Sequence, residues 1–386
     1  MSPLRFLIPV ALLGAVVAVP AVHAQIAVSA NDNKVVLANG VVKVVPNPPP
    51  DTVTIIDLKV WPPKVLGEVE APGSVVGPPL SVAITPDESL ALVTAAMRVD
   101  PNDPTKQAPD SRLSVVDLTT APPRVIATLE TGKGPAGLSI NRSGTLALVA
   151  NRAEGTVSVY TIQGKTVTAA GTVTIADEKS GVSHVAISPD GKTALVTRGG
   201  DDRISVLSIA GTKVEPTKRE ISAGLRPNGI DVAARGDIAA VANIGRGDGD
   251  ADTVSVIDMT LDPPRVVDTV TVGQTPEGIK FSPDGSVLAV VVMNGSNKPR
   301  ESPFHADAGR LVLFRVSGKA LRHLAQAPIG HWSQGVAFSA DGSLILVGNM
   351  VEKELQVFRL SGGSLSDTGL RVAVKGGPAA IRTADK

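Results

Sequence analysis

The chain has 386 residues, 43% of them apolar but only 2% aromatic, no cysteine, and a formal charge of zero. That length exceeds what one non-repetitive core usually holds together and points to a repeated unit. The missing cysteines exclude a disulfide framework, a Cys-ligated zinc or iron–sulfur cluster and covalent c-type haem. The balanced charge offers neither the basic stripe that nucleic acid requires nor a polybasic stretch for a membrane surface.

The first 24 residues read as a signal peptide. Arg5 is a positive n-region, residues 6–19 are an apolar h-region, and Val22-His23-Ala24 forms a small-residue cleavage site before Gln25. Processing there leaves 36 basic and 37 acidic residues, and no later apolar run of transmembrane length. The expectation is an exported monomer, periplasmic or extracellular, with one domain over 25–386.

Beyond the leader, one pattern recurs. A short β-rich run leads into a Ser-Pro-Asp-Gly-like turn, clearest at 184–191, 278–285 and 335–342 and looser at 26–33, 81–88, 137–144 and 229–236. Copies lie about 45 to 57 residues apart, the spacing of propeller blades. After each turn comes an apolar run such as 146–151, then a loop of variable length. An alternating Val/Ile/Thr run ending in Asp follows, as at 52–57, 112–117 and 253–258, and a more polar run closes the unit. The reading is all-β: a seven-bladed β-propeller of four-stranded antiparallel blades a–d, with eight blades as an alternative. Residues 377–385 repeat the start of the unit and stop, so they are favoured to close the ring as the innermost strand of the first blade. The alternative is that residues 26–30 fill that place.

The runs 150–160 and 241–244, with 253–258 downstream and the Ser-Pro-Asp-Gly turns, resemble the YVTN-repeat, lactonase-like β-propellers over essentially the whole mature chain. The resemblance implies the seven-bladed fold. It also brings in lactonase-like hydrolysis as one function the fold hosts, an analogy resting on structural residues alone.

In such a meander the b–c loops and d–a connections share one face. The b–c loops are long at 98–111, 245–252 and 294–309, with a Pro-rich stretch at 45–51, so this face is the expected binding surface. The main expectation is a binding or scaffold protein that engages a protein partner or a small oxygen-rich ligand there. The alternative is a hydrolase opening a sugar or carboxylate lactone at the channel mouth. For it, His184 or His331 is the candidate general base, with Glu277 orienting it or acting as base itself, and Arg198 or Arg226 stabilises the oxyanion. Asn228, Gln334, Asn151, Asn243 and Trp332 are candidate ligand contacts, although Asn151 and Asn243 recur by repeat and also suit strand-end capping. Asp248, Asp250 and Asp252 alternate like the start of a calcium loop, but Thr253 and Met259 stand where such a loop needs Gly and Glu. A Ca²⁺ or other divalent ion there would have its ligand set completed by Glu277 from the next d–a connection. Residues 132–137 match the dinucleotide-binding spacing but lead into a strand instead of the helix that fingerprint needs. No nucleophile elbow, P-loop or His-Glu-x-x-His occurs.

Overall fold

The computed structural model describes residues 25–386; the leader reading at 1–24 lies outside them. Seven four-stranded antiparallel sheets form a ring. Among the described residues the single helical element is the 3₁₀ turn Glu178–Ser180, and no helix is long and apolar enough to cross a membrane.

Blade 3 shows the unit: a is Pro135–Ile140, b Leu146–Asn151, c Thr156–Gln163 and d Thr166–Thr174. Blades 4 to 7 repeat it, with innermost strands Val182–Ile187, Pro227–Val232, Pro276–Phe281 and Ser333–Phe338. The near-continuous apolar character of strand b has a direct cause. Leu146, Leu148 and Ala150 point into the cluster shared with blade 4, while Ala147 and Val149 point into the cluster shared with blade 2. Both faces are buried, so alternation disappears from the sequence. Seven such clusters occur, one at each blade junction.

The turns explain the repeated polar letters. In 188–191 the Ser188 hydroxyl donates to Asp190 (2.6 Å), Asp190 accepts from the Lys192 amide (3.0 Å), and Gly191 takes a φ of 68°. A Cβ there would meet nothing within 4 Å, so conformation rather than space calls for glycine. The Asp ending strand c has a similar role. Asp117 accepts from the amide and hydroxyl of Thr119 and pairs with Lys165 of blade 3 at 2.7 Å; Asp258 does the same with Thr260 and Lys319 of blade 6.

Blade 1 joins the two ends of the chain. Gly377–Thr383 is its innermost strand a, Ile26–Asp32 is b, Thr52–Asp57 is c and Lys64–Glu70 is d. The run at 26–33, read as a looser start of the unit, is therefore a second strand, paired with 377–383 on one side and 52–57 on the other.

The long b–c connections are more ordered than loops. Residues 98–111 continue the strands Leu90–Asp100 and Asp103–Asp117 of blade 2 as an extended hairpin, with Met97 opposite Pro109 and Val99 opposite Gln107. Blade 1 inserts a small hairpin of Val35–Ala38 and Val41–Val44 before its Pro-rich stretch. Its tip reaches the blade 6 connection, where Asn39 bonds Glu301 and Arg300.

Candidate functional site

Two groups of polar side chains lie along the axis, one at each end. The residue before strand a sits at the loop-end mouth in left-handed backbone in several blades: Gly134, Gly181, Arg226, Thr275 and Trp332. Glycine adopts this freely, whereas Arg226 and Trp332 do so at a cost of about 1 kcal/mol. Strand a then enters the channel with Asn228 in blade 5 and Glu277 in blade 6, both buried.

Asn228 donates to Glu277 Oε2 at 2.9 Å. Burial pushes the Glu277 carboxyl up to about 7, against the pull of Arg152, Arg226 and the Asn228 bond. Arg152, from the turn after strand b of blade 3, donates to the Ser183 hydroxyl and feels both Arg226 and Glu277. Arg226 is anchored by its amide to Asp202 (2.7 Å) and by its guanidinium to the Gly245 carbonyl (3.2 Å). The result is a buried carboxyl raised toward neutrality, within the electrostatic reach of two arginines and hydrogen-bonded by an amide. This is the electrostatics of a general base beside an anion-stabilising pair.

Of the other sequence candidates, Gln334 shares the second position of strand a with Asn228 and Glu277, and among the described residues none besides Asn228 is hydrogen-bonded to the Glu277 carboxyl. Arg198 turns outward within blade 4, bound to Asp201, Glu220 and Ser205, because its place at the end of strand b faces the outer strands. Its role is a structural clamp, not an oxyanion contact. Asn151 and Asn243 donate through Nδ2 to the hydroxyls of Thr156 and Ser158, and of Thr253 and Ser255, within their own blades; they hold strands b and c together, while the Oδ1 of each is buried without a partner among the described residues. Trp332 is buried against Val35, Met293, Met350 and Ala379, an apolar plug beneath the blade 1 hairpin. Gln334, buried at the start of strand a, donates to the Trp332 carbonyl at 3.4 Å. His331 stands on the rim, half-exposed and tied through Nδ1 to Glu352 at 2.6 Å.

His184 occupies the waist of the channel. Its ring is fully buried between the Leu138 carbonyl and the Ile230 amide, each 3.4 Å away, and burial followed by the Arg382 charge holds it down at about 3. An imidazole with both nitrogens engaged and so little basicity is not a base toward water. Blade 3 makes room for it with Gly137, whose Cβ would come within 2.3 Å of the ring. Leu80 of blade 2 comes close to Gly229 of blade 5, where an added Cβ would lie 3.3 Å from its Cδ1.

Asp252 accepts from the Thr275 amide (2.8 Å), and burial and the charges of Asp250 and Asp248 raise its pKa. Among the described residues, no three His, Cys, Asp or Glu side chains converge as a metal ion requires.

Residues 119–260 match the family model described as lactonase, 7-bladed beta-propeller. No curated protein matches the sequence. Solved structures do, over nearly the full ring. One from Bacteroides fragilis, described provisionally as a 6-phosphogluconolactonase, is 17% identical with a TM-score of 0.70, covering 95% of this chain and 99% of that one. A Pseudomonas aeruginosa periplasmic gluconolactonase is 19% identical with a TM-score of 0.65, covering 94% and 99%. Kuenenia stuttgartiensis hydrazine synthase is 18% identical with a TM-score of 0.61, covering 80% and 90%. In fold, this is a lactonase-like propeller. At these identities the likeness concerns architecture, and the lactonase-like propeller's chemistry has to be argued from Glu277 and its neighbours.

Proposed function

We propose that the protein is a lactone hydrolase working at the loop-end mouth, in preference to a scaffold. The observation that carries this reading is Glu277, a buried carboxyl with a pKa of about 7 that is hydrogen-bonded by Asn228 and faced by Arg152 and Arg226. The match over residues 119–260 and the gluconolactonase neighbour support the same class.

Ionised Glu277 takes a proton from water as the water oxygen bonds to the lactone carbonyl carbon. Arg152 and Arg226 stabilise the tetrahedral oxyanion. Collapse breaks the ring C–O bond, the leaving alkoxide receives the proton held by Glu277, and the product is a hydroxycarboxylate. An extracytoplasmic location belongs to the same proposal, supported by the leader-like residues 1–24 and the periplasmic description of the Pseudomonas neighbour.

The test is a pH-stat assay on glucono-δ-lactone and on aliphatic and aromatic lactones. Turnover should fall about 100-fold in Glu277→Gln, the usual loss with a general base. Hydrolysis no faster than in buffer on every lactone would reject the reading.

A further inference from the structure

The opposite end of the channel, on the Ser-Pro-Asp-Gly face, holds a second group. At the penultimate position of strand a, which in blade 2 is Val82–Ile84, most blades carry a small residue: Ala83, Ser139, Ala186 and Ala337. Three carry charges instead: Asp231 in blade 5, Lys280 in blade 6 and Arg382 in blade 1. Asp231 lies 3.0 Å from Lys280 Nζ and 3.5 Å from Arg382 Nη2, and also accepts the Phe281 amide. His184 is neutral, so these three charges leave one surplus positive charge.

Asp385 balances it. Its Oδ1 meets Lys280 at 2.6 Å and its Oδ2 meets Arg382 Nη2 at 2.9 Å, so a single carboxylate spans cations of two blades. Yet Asp385 lies on the short segment beyond strand a, and its side chain is 43% exposed, whereas those of Lys280 and Arg382 are 11% and 9% exposed. Arg382 Nη1 is buried and has no acceptor among the described residues. A cavity of about 280 Å³ lined by Lys280, Arg382, His184 and Asp231 remains beside the segment. Buried guanidinium donors are seldom left unpaired, and a planar fork suits a carboxylate.

We infer that this end of the channel is a second binding site, for a small carboxylate, and that the Asp385 side chain occupies it as an internal stand-in. The external ligand displaces Asp385 from Lys280 and Arg382 and gives Nη1 its acceptor. The inference is independent of lactone hydrolysis at Glu277, which stands near the start of the strand Pro276–Phe281 whereas Lys280 stands near its end.

Calorimetric titration of the full chain with acetate, succinate, gluconate and sulfate, at constant ionic strength, tests it. Asp385→Ala should bind at least one of the carboxylates about 10-fold tighter than wild type, and the isosteric Asp385→Asn should do the same. Adding Lys280→Met to either variant should abolish the gain, while thermal unfolding shows that the fold is kept. No tightening in either Asp385 variant would overturn the site, and an equal gain for sulfate would overturn its carboxylate class.

Discussion

Glu277 and His184 are both buried ionisable groups on innermost strands, yet their surroundings assign them opposite characters. Glu277 has cations and an amide beside it and ends near neutrality; His184 has backbone partners and the nearby Arg382 charge, and stays unprotonated. The difference has a thermodynamic signature. The unfolded chain protonates His184 as pH falls through 6.5, whereas the native state resists protonation until about 3. Its stabilising contribution is therefore present above 6.5 and is lost as pH falls between those values. In that window wild type should lose up to about 1.4 kcal/mol more per pH unit than His184→Gln. Urea unfolding at pH 4, 5 and 6 checks this, and equal slopes would contradict it. His184 was legible as a channel residue but not as an inert one, because its partners come from blades 3 and 5, far away in the chain. Arg152 illustrates the opposite problem. It follows Asn151 as Met350 follows Asn349, so the repeat register marks it as mouth-facing, but a lone arginine in a turn carries no motif.

Strands and turns were the most readable level. Period-two patterning and the Ser-Pro-Asp-Gly turns report local physics, namely burial on both faces and fixed hydrogen bonding, and these placed the blades. The stretch 98–111 reads as a loop because its polar and proline residues lack an alternating apolar face. As an extended hairpin it pairs its backbone without needing one. The terminal Asp of strand c was visible as a repeat, while its tie to the next blade was not. Burial would raise the Asp117 carboxyl, but Lys165 and Thr119 outweigh that and hold it at about 2. Its stabilisation is present above the ordinary carboxylate value of 3.8 and is lost as pH falls toward 2. Asp117→Ala should cost about 1 to 2 kcal/mol at pH 7 in urea unfolding, since it removes two turn bonds and an inter-blade pair. A change of only a few tenths would mean the pair is fully solvent-screened.

At the scale of the molecule, the ring brings together residues that the sequence scatters. Asp231, Lys280, Arg382 and Asp385 span more than 150 positions, and they meet because each innermost strand presents the same register to one axis. The charges at those positions stand out against the small residues of other blades once the register is known. Glu277, Asn228, Arg226 and Arg152 meet at the other end for the same reason, and the central claim is that they form a working general base. The most direct test is the pH dependence of kcat/KM for lactone hydrolysis, in wild type and in Arg152→Met. The account predicts a rate that rises with pH through an inflection near 7, where Glu277 ionises. It further predicts a move of that inflection to higher pH in Arg152→Met, because a cation that favours the carboxylate has been removed. A profile flat between pH 6 and 8, or an inflection unmoved in Arg152→Met, would contradict it.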